Sequence, residues 1–481
     1  MAVVPFPNYE PDKSIFDGNN TDVVANVLPV EGGWGPMKAH VPEGTALASE
    51  CKGGIACVDT TGAAHIFVGT TTHLYKWNTG TMDFDDVSTA ATTYTVPGQE
   101  FWSFHQFGDF LLATNGSDGL YYFDLTNGTE FVNASNAPVA KYVSNVGEYV
   151  LLLHVDNVPN RVQWSEIGSI TDWTIGDAGA GRQDLPDGGE AVGATFGEEA
   201  VYILQDSAIR QAIYIGGSYT FQFKKVNTAR GCKAPYAIVQ AGNTFFYLDE
   251  DGIYEGPNGN PIGAEKVNRT LIGDYDLDLW DNVVGAADPT NKIVWWIMTP
   301  ASGDKEMIGY DWQLNRWTRS TETMDFIFPA ISPAYTLEGL ANISASIDAL
   351  PYSLDSRAYS GGRQALAGVD TDNKYGLFEG SNLAATVETN DLKLGAENQR
   401  AFCNGYRFIT DADQHTGQVS GKATHSSAIS FSPVVSPVAS TGLITARSNA
   451  RLHRFRANIT AGDVWTYIHG LMPYVRAGGR R

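Results

Sequence analysis

The 481-residue sequence has only four cysteines, at Cys51, Cys57, Cys232 and Cys403. They are too few and too far apart for a disulfide framework or a paired-cysteine metal site. The sequence also lacks an apolar run of about 18 residues, the length that a membrane-spanning helix requires. Its first residues, MAVVPFPNYEPDK, lack the basic and then apolar pattern of a signal peptide. These absences predict a globular protein that is made in a reducing cytoplasm.

Basic residues are also scarce, with 32 lysines and arginines against 54 acidic residues and a net charge of −22. An acidic surface repels phosphate, which argues against a nucleic-acid-binding surface over most of the chain. Residues 441–481 are the exception, because they include seven arginines and one acidic residue, Asp463. That stretch carries +6, which leaves −28 for the first 440 residues. It is either a solvated basic tail or a surface that docks on an acidic neighbour.

Helical periodicity is rare as well. Short apolar runs of about four to eight residues dominate, and Gly, Asn, Asp and Pro bound them. The best helix candidate, residues 335–349, is rich in Ser and Ile, which are weak helix formers. With 51 glycines and 11% aromatic residues, the composition favours aromatic-rich strands joined by many turns.

Six strand-rich segments of similar pattern follow one another, and a seventh, less regular one begins at Leu366. The residues that close the six segments are 42 to 50 positions apart, at Phe84, Phe131, Trp173, Phe221, Val267 and Trp317. A period in the forties with about four strands per unit is typical of propeller blades. We therefore predict an all-β fold: a β-propeller of about six to seven four-stranded blades, with an irregular N-terminal arm and a C-terminal β-rich extension.

The pattern divides the chain into five parts. Residues 1–57 are rich in Pro and Gly and predict an arm that wraps the body. Residues 58–320 are the propeller blades, 321–362 an insertion, and 363–389 an irregular last blade. Residues 390–481 alternate like a small β-sandwich or a closing sheet, and we predict a docking region there.

Two tryptophans, Trp164 and Trp173, stand close together in EYVLLLHVDNVPNRVQWSEIGSITDWT, from residue 148 to 174. They could form a ligand site, because aromatic rings stack on sugars. The flanking segments favour another interpretation, in which EYVLLLHV and RVQWSEI are adjacent strands of the third blade. Trp173 then occupies the position that Phe131 and Phe221 fill in neighbouring blades.

No catalytic motif stands out. The nine histidines form no HExxH or other close metal pair, and a GxSxG elbow is missing. The acidic triplet from Asp249 to Asp251 precedes Gly252 and is typical of a hairpin turn, since calcium loops alternate their acidic residues. We predict no metal, no cofactor and no enzymatic activity, although spacing alone does not exclude glycosidase carboxylates that face each other across a propeller.

Several phrases occur in a characteristic order. They include NVLPVEGGWGPMKA, IFVGTTTHLYKW, FWSFHQFGDFLLATNG, RVQWSEIGSITDWT, DEDGIYEG, IDALPYSLDS and RLHRFRANITAGDVW. Together they resemble the packaged-DNA stabilisation proteins of short-tailed bacteriophages, also called tail hub or nozzle proteins. The resemblance covers most of the chain from about residue 20, and its specificity lies in the order of the phrases.

The resemblance implies a structural virion protein. Such proteins are similar to β-propellers arranged as a six-fold ring below the portal and its adaptor ring. They extend the channel through which DNA leaves, retain packaged DNA until ejection, and carry tail fibre or needle proteins. The implied location is the virion tail, assembled in the host cytoplasm. The family offers no catalytic residues to transfer.

Two charge features agree with that expectation. The basic C-terminal strands contain Arg447, Arg451, Arg454 and Arg456, which are candidates for docking on a neighbouring subunit or partner. The acidic body suits a duct through which DNA passes without specific binding, because it repels phosphate. The alternative function is a carbohydrate-binding or carbohydrate-active β-propeller, such as a receptor-binding protein or tail enzyme, and it rests on the many aromatic and carboxylate side chains.

Overall fold

The fold is all-β, as seen in a computed structural model, and strands make up about half of the chain. The residues that the structure describes are 3–14, 20–89, 92–198, 200–217, 219–275, 277–301, 303–332, 340, 344, 346, 348, 361–396 and 399–478. One α-helix, Asn268–Asp274, and two 3-10 helices, Pro235–Ala237 and Leu277–Asn282, lie among these residues.

Six four-stranded antiparallel sheets follow one another along the chain, each made of four consecutive strands. We number them sheet one to sheet six. Sheet one contains Cys51–Val58, Ala64–Thr70, Leu74–Asn78 and Asp83–Asp86. Sheet two contains Ser103–Phe107, Phe110–Thr114, Tyr121–Asp124 and Val132–Asn133. Sheet three contains Ala140–Val146, Tyr149–Val155, Val158–Trp164 and Gly181–Asp184.

The next three sheets repeat this order. Sheet four contains Ala191–Ala194, Ala200–Gln205, Ile209–Tyr214 and Phe221–Asn227. Sheet five contains Val239–Ala241, Thr244–Asp249, Gly252–Glu255 and Asn260–Pro261. Sheet six contains Val284–Asp288, Ile293–Met298, Glu306–Asp311 and Arg316–Ser320. The strand Ile293–Met298, IVWWIM, is buried along its whole length, as expected for a strand with packed layers on both faces.

Sheet seven takes its fourth strand from the other end of the chain. Its strands are Met324–Ile331, Gln364–Asp370, Tyr375–Leu377 and Val41–Pro42. Gly376 pairs with Pro42, and Leu377 pairs with Val41. Glycine is required at 376, because a Cβ atom there would collide with the carbonyl oxygen of Val41. The N-terminal segment is therefore an integral part of the last sheet.

The first strands of neighbouring sheets pack side by side. The contacts between them include hydrogen bonds from the Val143 amide to Ser103 Oγ (3.1 Å) and from Ser144 Oγ to the Thr195 carbonyl (2.7 Å). The first strand of sheet one also packs against that of sheet seven, where a Cβ atom on Gly54 would meet the Phe328 ring. The sheets thus form a propeller-like all-β body, with apolar clusters between successive sheets.

Both ends of the chain meet in a second unit, which we call the terminal sandwich. Its six-stranded sheet contains Val4–Pro5, Val27–Val30, Gly33–Pro36, Ala401–Thr410, Ile444–Ala450 and Ile468–Ala477. Its four-stranded sheet contains Val24–Ala25, Ala385–Glu388, His415–Lys422 and Leu452–Ile459. A small parallel pair, Asn8–Tyr9 with Asn20–Thr21, lies in the N-terminal segment. The sandwich core includes Tyr406 and Phe455, whose ring centroids are 4.8 Å apart.

The terminal sandwich rests on the fourth strand of sheet six. The Arg316 guanidinium lies 4.3 Å from the ring centroid of the buried Trp34 and donates to the carbonyls of Val30 (2.9 Å) and Gly33 (2.7 Å). Burial lowers the pKa of Arg316 to about 10. The Thr318 hydroxyl donates to the Val27 carbonyl in the same interface. Cation–π and hydrogen-bond contacts thus fix the sandwich to the rim of the body.

The strand boundaries differ from the predicted divisions in three places. Sheet one begins at Cys51, inside the predicted arm of residues 1–57, and the rest of that arm supplies strands to sheet seven and the sandwich. The predicted insertion of residues 321–362 contains Met324–Ile331, the first strand of sheet seven. Ala385–Glu388, predicted in the last blade, pairs within the sandwich. Met324–Ile331 and Ala385–Glu388 pair with strands that are distant in sequence, so local pattern does not reveal their sheets. Cys51–Val58 pairs with the neighbouring strand Ala64–Thr70, so only the predicted boundary differs there. The predicted helix at 335–349 falls almost entirely outside the described residues.

The two tryptophans of the third repeat are both buried, and only one belongs to a strand. Trp164 ends the third strand of sheet three and packs edge-on against Phe221, at 5.2 Å between centroids. Trp173 lies in the loop before Gly181–Asp184, and its Nε1 donates to the Ile170 carbonyl (3.0 Å). Trp173 packs between sheets two and three, as Phe131 packs between sheets one and two and Phe221 between sheets three and four. This agrees with the predicted equivalence of the three positions, although Trp173 lies in a longer loop before the fourth strand. Neither ring is available to stack on a ligand.

Candidate functional site

The four arginines predicted for docking divide into two pairs in the structure. Arg454 is buried and Arg456 half-buried, both on the strand Leu452–Ile459 of the four-stranded sheet. Arg447, on the strand Ile444–Ala450 of the six-stranded sheet, and Arg451, in the turn between the two strands, are both exposed. The structure therefore does not bring the four side chains into one surface.

Arg454 forms ion pairs within the chain and is not available to a partner. Its Nε donates to Glu388 Oε2 (2.7 Å) and its Nη2 to Asp22, while Arg456 Nε donates to Glu388 Oε1 (2.5 Å). Burial opposes the charge on Arg454, but the hydrogen bonds to Asp22 and Glu388 outweigh it and raise the pKa of this guanidinium. The cluster ties the N-terminal segment to two strands near the C-terminus. For Arg454, an internal ion pair replaces the predicted docking role.

A second buried ion pair lies beside this cluster. Lys422 Nζ lies 2.7 Å from Asp391 Oδ2 and also donates to the His425 carbonyl (2.9 Å). The side chains of Lys422 and Asp391 are 4% and 1% exposed, and Asn390 Nδ2 donates to Asn20 Oδ1 (3.0 Å) nearby. These groups border a cavity of about 360 Å³. Lys422 and Arg454 already have carboxylate partners, so their charges are neutralised within the sandwich and are not held ready for a ligand.

The outer face of the six-stranded sheet presents a different set of side chains. Side chains alternate along its strands, so Cys403 and Tyr406 point into the core. The side chains on the opposite side, which we call the arginine face, are Phe402, Arg407, Arg447, Tyr474 and Arg476. None of the six strands of this sheet contains an acidic residue, although the chain has 54. The face is thus uniformly basic within a strongly acidic protein.

Aromatic rings lie among these arginines. The Arg407 guanidinium is 5.7 Å from the centroid of Tyr474, and Phe402, which is 37% exposed, pairs across the sheet with Arg476. Exposed arginines beside aromatic rings bind carboxylates and bury apolar area together, which is typical of protein interfaces. Sequence reasoning identified Arg447 but missed Arg407, Arg476 and the two rings. The sequence shows that side chains alternate along each of the three strands, but it does not show the register in which the strands pair.

A central cavity of about 920 Å³ runs beside the first strands of the sheets. Its lining includes His105, Asn145, Phe196, Glu198 and Gln240. His105 Nε2 lies 2.9 Å from Asn145 Oδ1, and the Gln240 amide exchanges hydrogen bonds with the backbone of Phe196 (3.1 and 3.3 Å). Phe196 is 52% exposed, and its ring centroid lies 5.6 Å from that of His105. An aromatic ring among amides can hold a small polar ligand.

The electrostatics of this cavity follow from burial. Burial lowers the pKa of His105 to about 4, despite the hydrogen bond to Asn145 that favours the charged form. His105 is therefore neutral at pH 7. In the neutral ring one nitrogen donates a hydrogen bond and the other accepts one, and the ring adds no positive charge to the cavity.

Reactive side chains are sparse in the described part of the chain. No group of three or more His, Cys, Asp or Glu side chains there is placed to hold a metal ion. The four cysteines are buried as free thiols, and burial raises the pKa of Cys51, Cys57 and Cys232 to about 12. At pH 7 these thiols are protonated and are poor nucleophiles. Among the described residues, no helix is long and apolar enough to cross a membrane.

Comparison with solved structures gives remote likenesses, of which two are described below. No protein-family model and no curated protein matches the chain. The chain is similar to Hsv2p of Kluyveromyces lactis, at 9% identity and a TM-score of 0.31, over 55% of this chain and 75% of Hsv2p. It is also similar to the extracellular domain of a hybrid two-component system protein of B. thetaiotaomicron, at 9% identity and a TM-score of 0.41, over 77% of this chain and 43% of that one. Neither likeness carries an argument about function.

Replacing Arg454 tests the internal role of the ion-pair cluster. We expect Arg454→Ala to lower the free energy of unfolding by about 3–5 kcal/mol, because Glu388 is then left buried with one partner fewer. Arg447→Ala is the matched control and should change it by less than about 0.5 kcal/mol, since Arg447 is exposed. Chemical denaturation of both variants measures the difference. Equal losses would contradict the assignment.

The neutral state of His105 predicts a dependence of stability on pH. Between about pH 6.5 and 4 the unfolded chain binds a proton at this position, whereas the folded protein does not. Stability is therefore lost as the pH falls through this range. His105→Gln keeps an N–H donor for Asn145 but cannot titrate, so the fall in Tm from pH 7 to pH 5 should be smaller than in the wild type. An equal or larger fall would show that His105 is protonated in the folded state.

Proposed function

We propose that the seven sheets form a closed seven-bladed β-propeller. The support is the packing of the first strand of sheet one against that of sheet seven, together with the N-terminal strand Val41–Pro42 that completes sheet seven. A last blade that combines strands from both chain ends locks the ring, because opening it would break a strand pair. The central cavity then lies on the propeller axis.

We further propose that the protein is a structural component of a short phage tail: a hub or nozzle ring below the portal and its adaptor. In that place it extends the DNA channel and retains packaged DNA until ejection, without catalysis. The observation that carries the proposal is the segregation of charge. A basic face without any carboxylate projects from a sandwich on the rim, while the first 440 residues carry −28. The ordered sequence phrases support the same role.

The basic face and the acidic body would each contribute to a ring in a different way. A basic face docks on an acidic neighbour, so identical subunits can join head to tail and close as a homohexamer. An acidic wall repels phosphate, so duplex DNA slides through the channel without specific binding. The proposed partners are further copies of the chain, the portal adaptor ring, and tail fibre or needle proteins. Assembly takes place in the host cytoplasm, and the final location is the virion tail.

Assembly state tests this proposal. We expect mass photometry and electron microscopy of the purified protein, alone or mixed with the portal–adaptor complex, to show six-fold rings. Because the interface depends on charge, rings should dissociate as the salt concentration rises from about 0.1 to 1 M, where screening is strong. Monomers under all these conditions, with and without the adaptor, would contradict the proposed function.

A second candidate function, carbohydrate binding, rests on the central cavity. Phe196 is exposed beside the amides of Asn145 and Gln240, an arrangement that suits an aromatic–sugar stack with polar contacts. A glycan array and a hydrolysis assay of the wild type test it, with Phe196→Ala as the variant. Binding that Phe196→Ala weakens by about tenfold or more would favour this function. No binding and no turnover would remove it.

A further inference from the structure

A cluster of exposed apolar side chains lies at one end of sheets three and four. Its members are Ile167, Ile175, Tyr214, Ile215 and Tyr219, which are between 47% and 76% exposed. Tyr219 is the most exposed of them, at 76%. We call this cluster the rim patch. Large exposed apolar side chains grouped in this way mark interaction sites, and tyrosine is enriched among the residues that dominate binding energy.

The two loops that carry the rim patch are held together by hydrogen bonds. The loop between the third and fourth strands of sheet three carries Ile167 and Ile175, and the hairpin of sheet four carries the other three residues. The carbonyl of Gly179 in the first loop accepts from Thr220 Oγ1 in the hairpin and from Trp164 Nε1, each at 2.7 Å. Tyr149 packs against Tyr214, at 5.7 Å between centroids. The patch is thus a prepared surface built on two rigid sheets.

The surroundings of the rim patch are acidic. Residues 165–180 include Glu166, Asp172 and Asp177 and no basic residue, and the hairpin of sheet four, residues 214–221, has no charged residue. Glu148 lies next to Tyr149, and its carbonyl accepts from the Gly168 amide (2.7 Å). None of these four carboxylates forms an ion pair with a basic side chain in the part of the chain that the structure describes. They are free to meet an external cation.

The arginine face complements the rim patch in charge and in apolar surface. It combines the basic Arg407, Arg447 and Arg476 with the aromatic rings of Phe402 and Tyr474. A patch cannot pair with its own copy, since like charges would face each other, and the same holds for two arginine faces. The favourable contact is therefore between unlike surfaces of two copies. Contacts of this kind are heterologous, and they generate rings when the rotation closes.

The positions of the two surfaces also suit a ring. The terminal sandwich rests on the fourth strand of sheet six, and the rim patch belongs to sheets three and four. In a seven-bladed ring, sheets three and six are three blades apart, close to opposite sides. One subunit can therefore bind a neighbour on each side without the two contacts overlapping.

We propose that the rim patch is the docking site for the arginine face of the next copy of this chain. This inference rests on the proposed ring and names the two surfaces that build it. Asp172 and Asp177 face Arg447 and Arg476 across the contact, and Tyr219 packs among Phe402 and Tyr474. The sandwich of each subunit thereby covers the rim of its neighbour.

Charge reversal on each surface tests the contact. The first variant, Arg447→Glu with Arg476→Glu, places carboxylates opposite the acidic patch, and the second, Asp172→Lys with Asp177→Lys, places lysines opposite the arginine face. Each should weaken ring association at least about tenfold. All four side chains are exposed, so the Tm of each variant should stay close to the wild-type value. Lys393→Glu and Asp372→Lys are matched controls on exposed positions outside the two surfaces and should assemble normally.

Mixing the two variants is the decisive step. The arginine face of each then meets a complementary patch on the other, so an equimolar mixture should form rings with alternating subunits, which six positions allow. A misfolded variant could not be rescued in this way. If the wild type forms rings that both variants also form, or if the mixture stays unassembled, the inference is overturned and the proposed ring stands. If the wild type assembles neither alone nor with the adaptor, both fail.

Discussion

The fold depends on pairing between its two chain ends. Strands in the first 42 residues complete sheet seven and supply half of the strands in the six-stranded sheet of the terminal sandwich. Bringing such distant segments together costs entropy, but that cost grows only slowly with the length of chain between them. The ion pairs that the buried Arg454 forms with Glu388 and with the half-exposed Asp22 link the two ends. Without these pairings, the propeller-like body would expose the edge of its last sheet and lose the sandwich.

The same pairing explains how the charges are separated. The sandwich can present a basic face because its own buried cations are already neutralised within it, by Glu388 and Asp391. Three other arginines, Arg407, Arg447 and Arg476, lie on one side of a sheet whose strands contain no acidic residue. Attachment to sheet six through Arg316 and Trp34 then places this face on the rim. The proposed docking between copies uses the separation that the fold creates.

The sequence pattern of short segments predicts those sheets whose strands are consecutive in the chain. The repeat with a period in the forties predicted four-stranded units, because each sheet from one to six is made of four consecutive strands, joined by short turns except for the loop of residues 165–180. The alternation of residues 390–481 predicted β-rich structure, and the strands Leu452–Ile459 and Ile468–Ala477 confirm it. The N-terminal strands were not readable, since Val41–Pro42 or Val24–Ala25 is too short to show alternation and its partner is hundreds of residues away. Trp173 packs between sheets two and three as predicted, although the loop of residues 165–180 that carries it is longer than its counterparts in the other sheets.

The candidate site could also be predicted only in part from the sequence. Composition identified the basic stretch near the C-terminus, and Arg447 proved to be exposed on the arginine face. Composition could not distinguish it from Arg454, which lies on the other sheet of the sandwich and is buried there in ion pairs. Arg407 lies outside the arginine-rich stretch, so only the register of three strands places it beside Tyr474.

The central claim is that copies of this chain join head to tail through the arginine face and the rim patch. Electron cryomicroscopy of the assembled ring, alone or in the virion tail, measures this most directly. The account predicts six copies around the DNA channel, with the six-stranded sheet of each copy against sheets three and four of the next. A reconstruction in which the arginine face of every copy is open to solvent, or contacts its own symmetry mate, would contradict it.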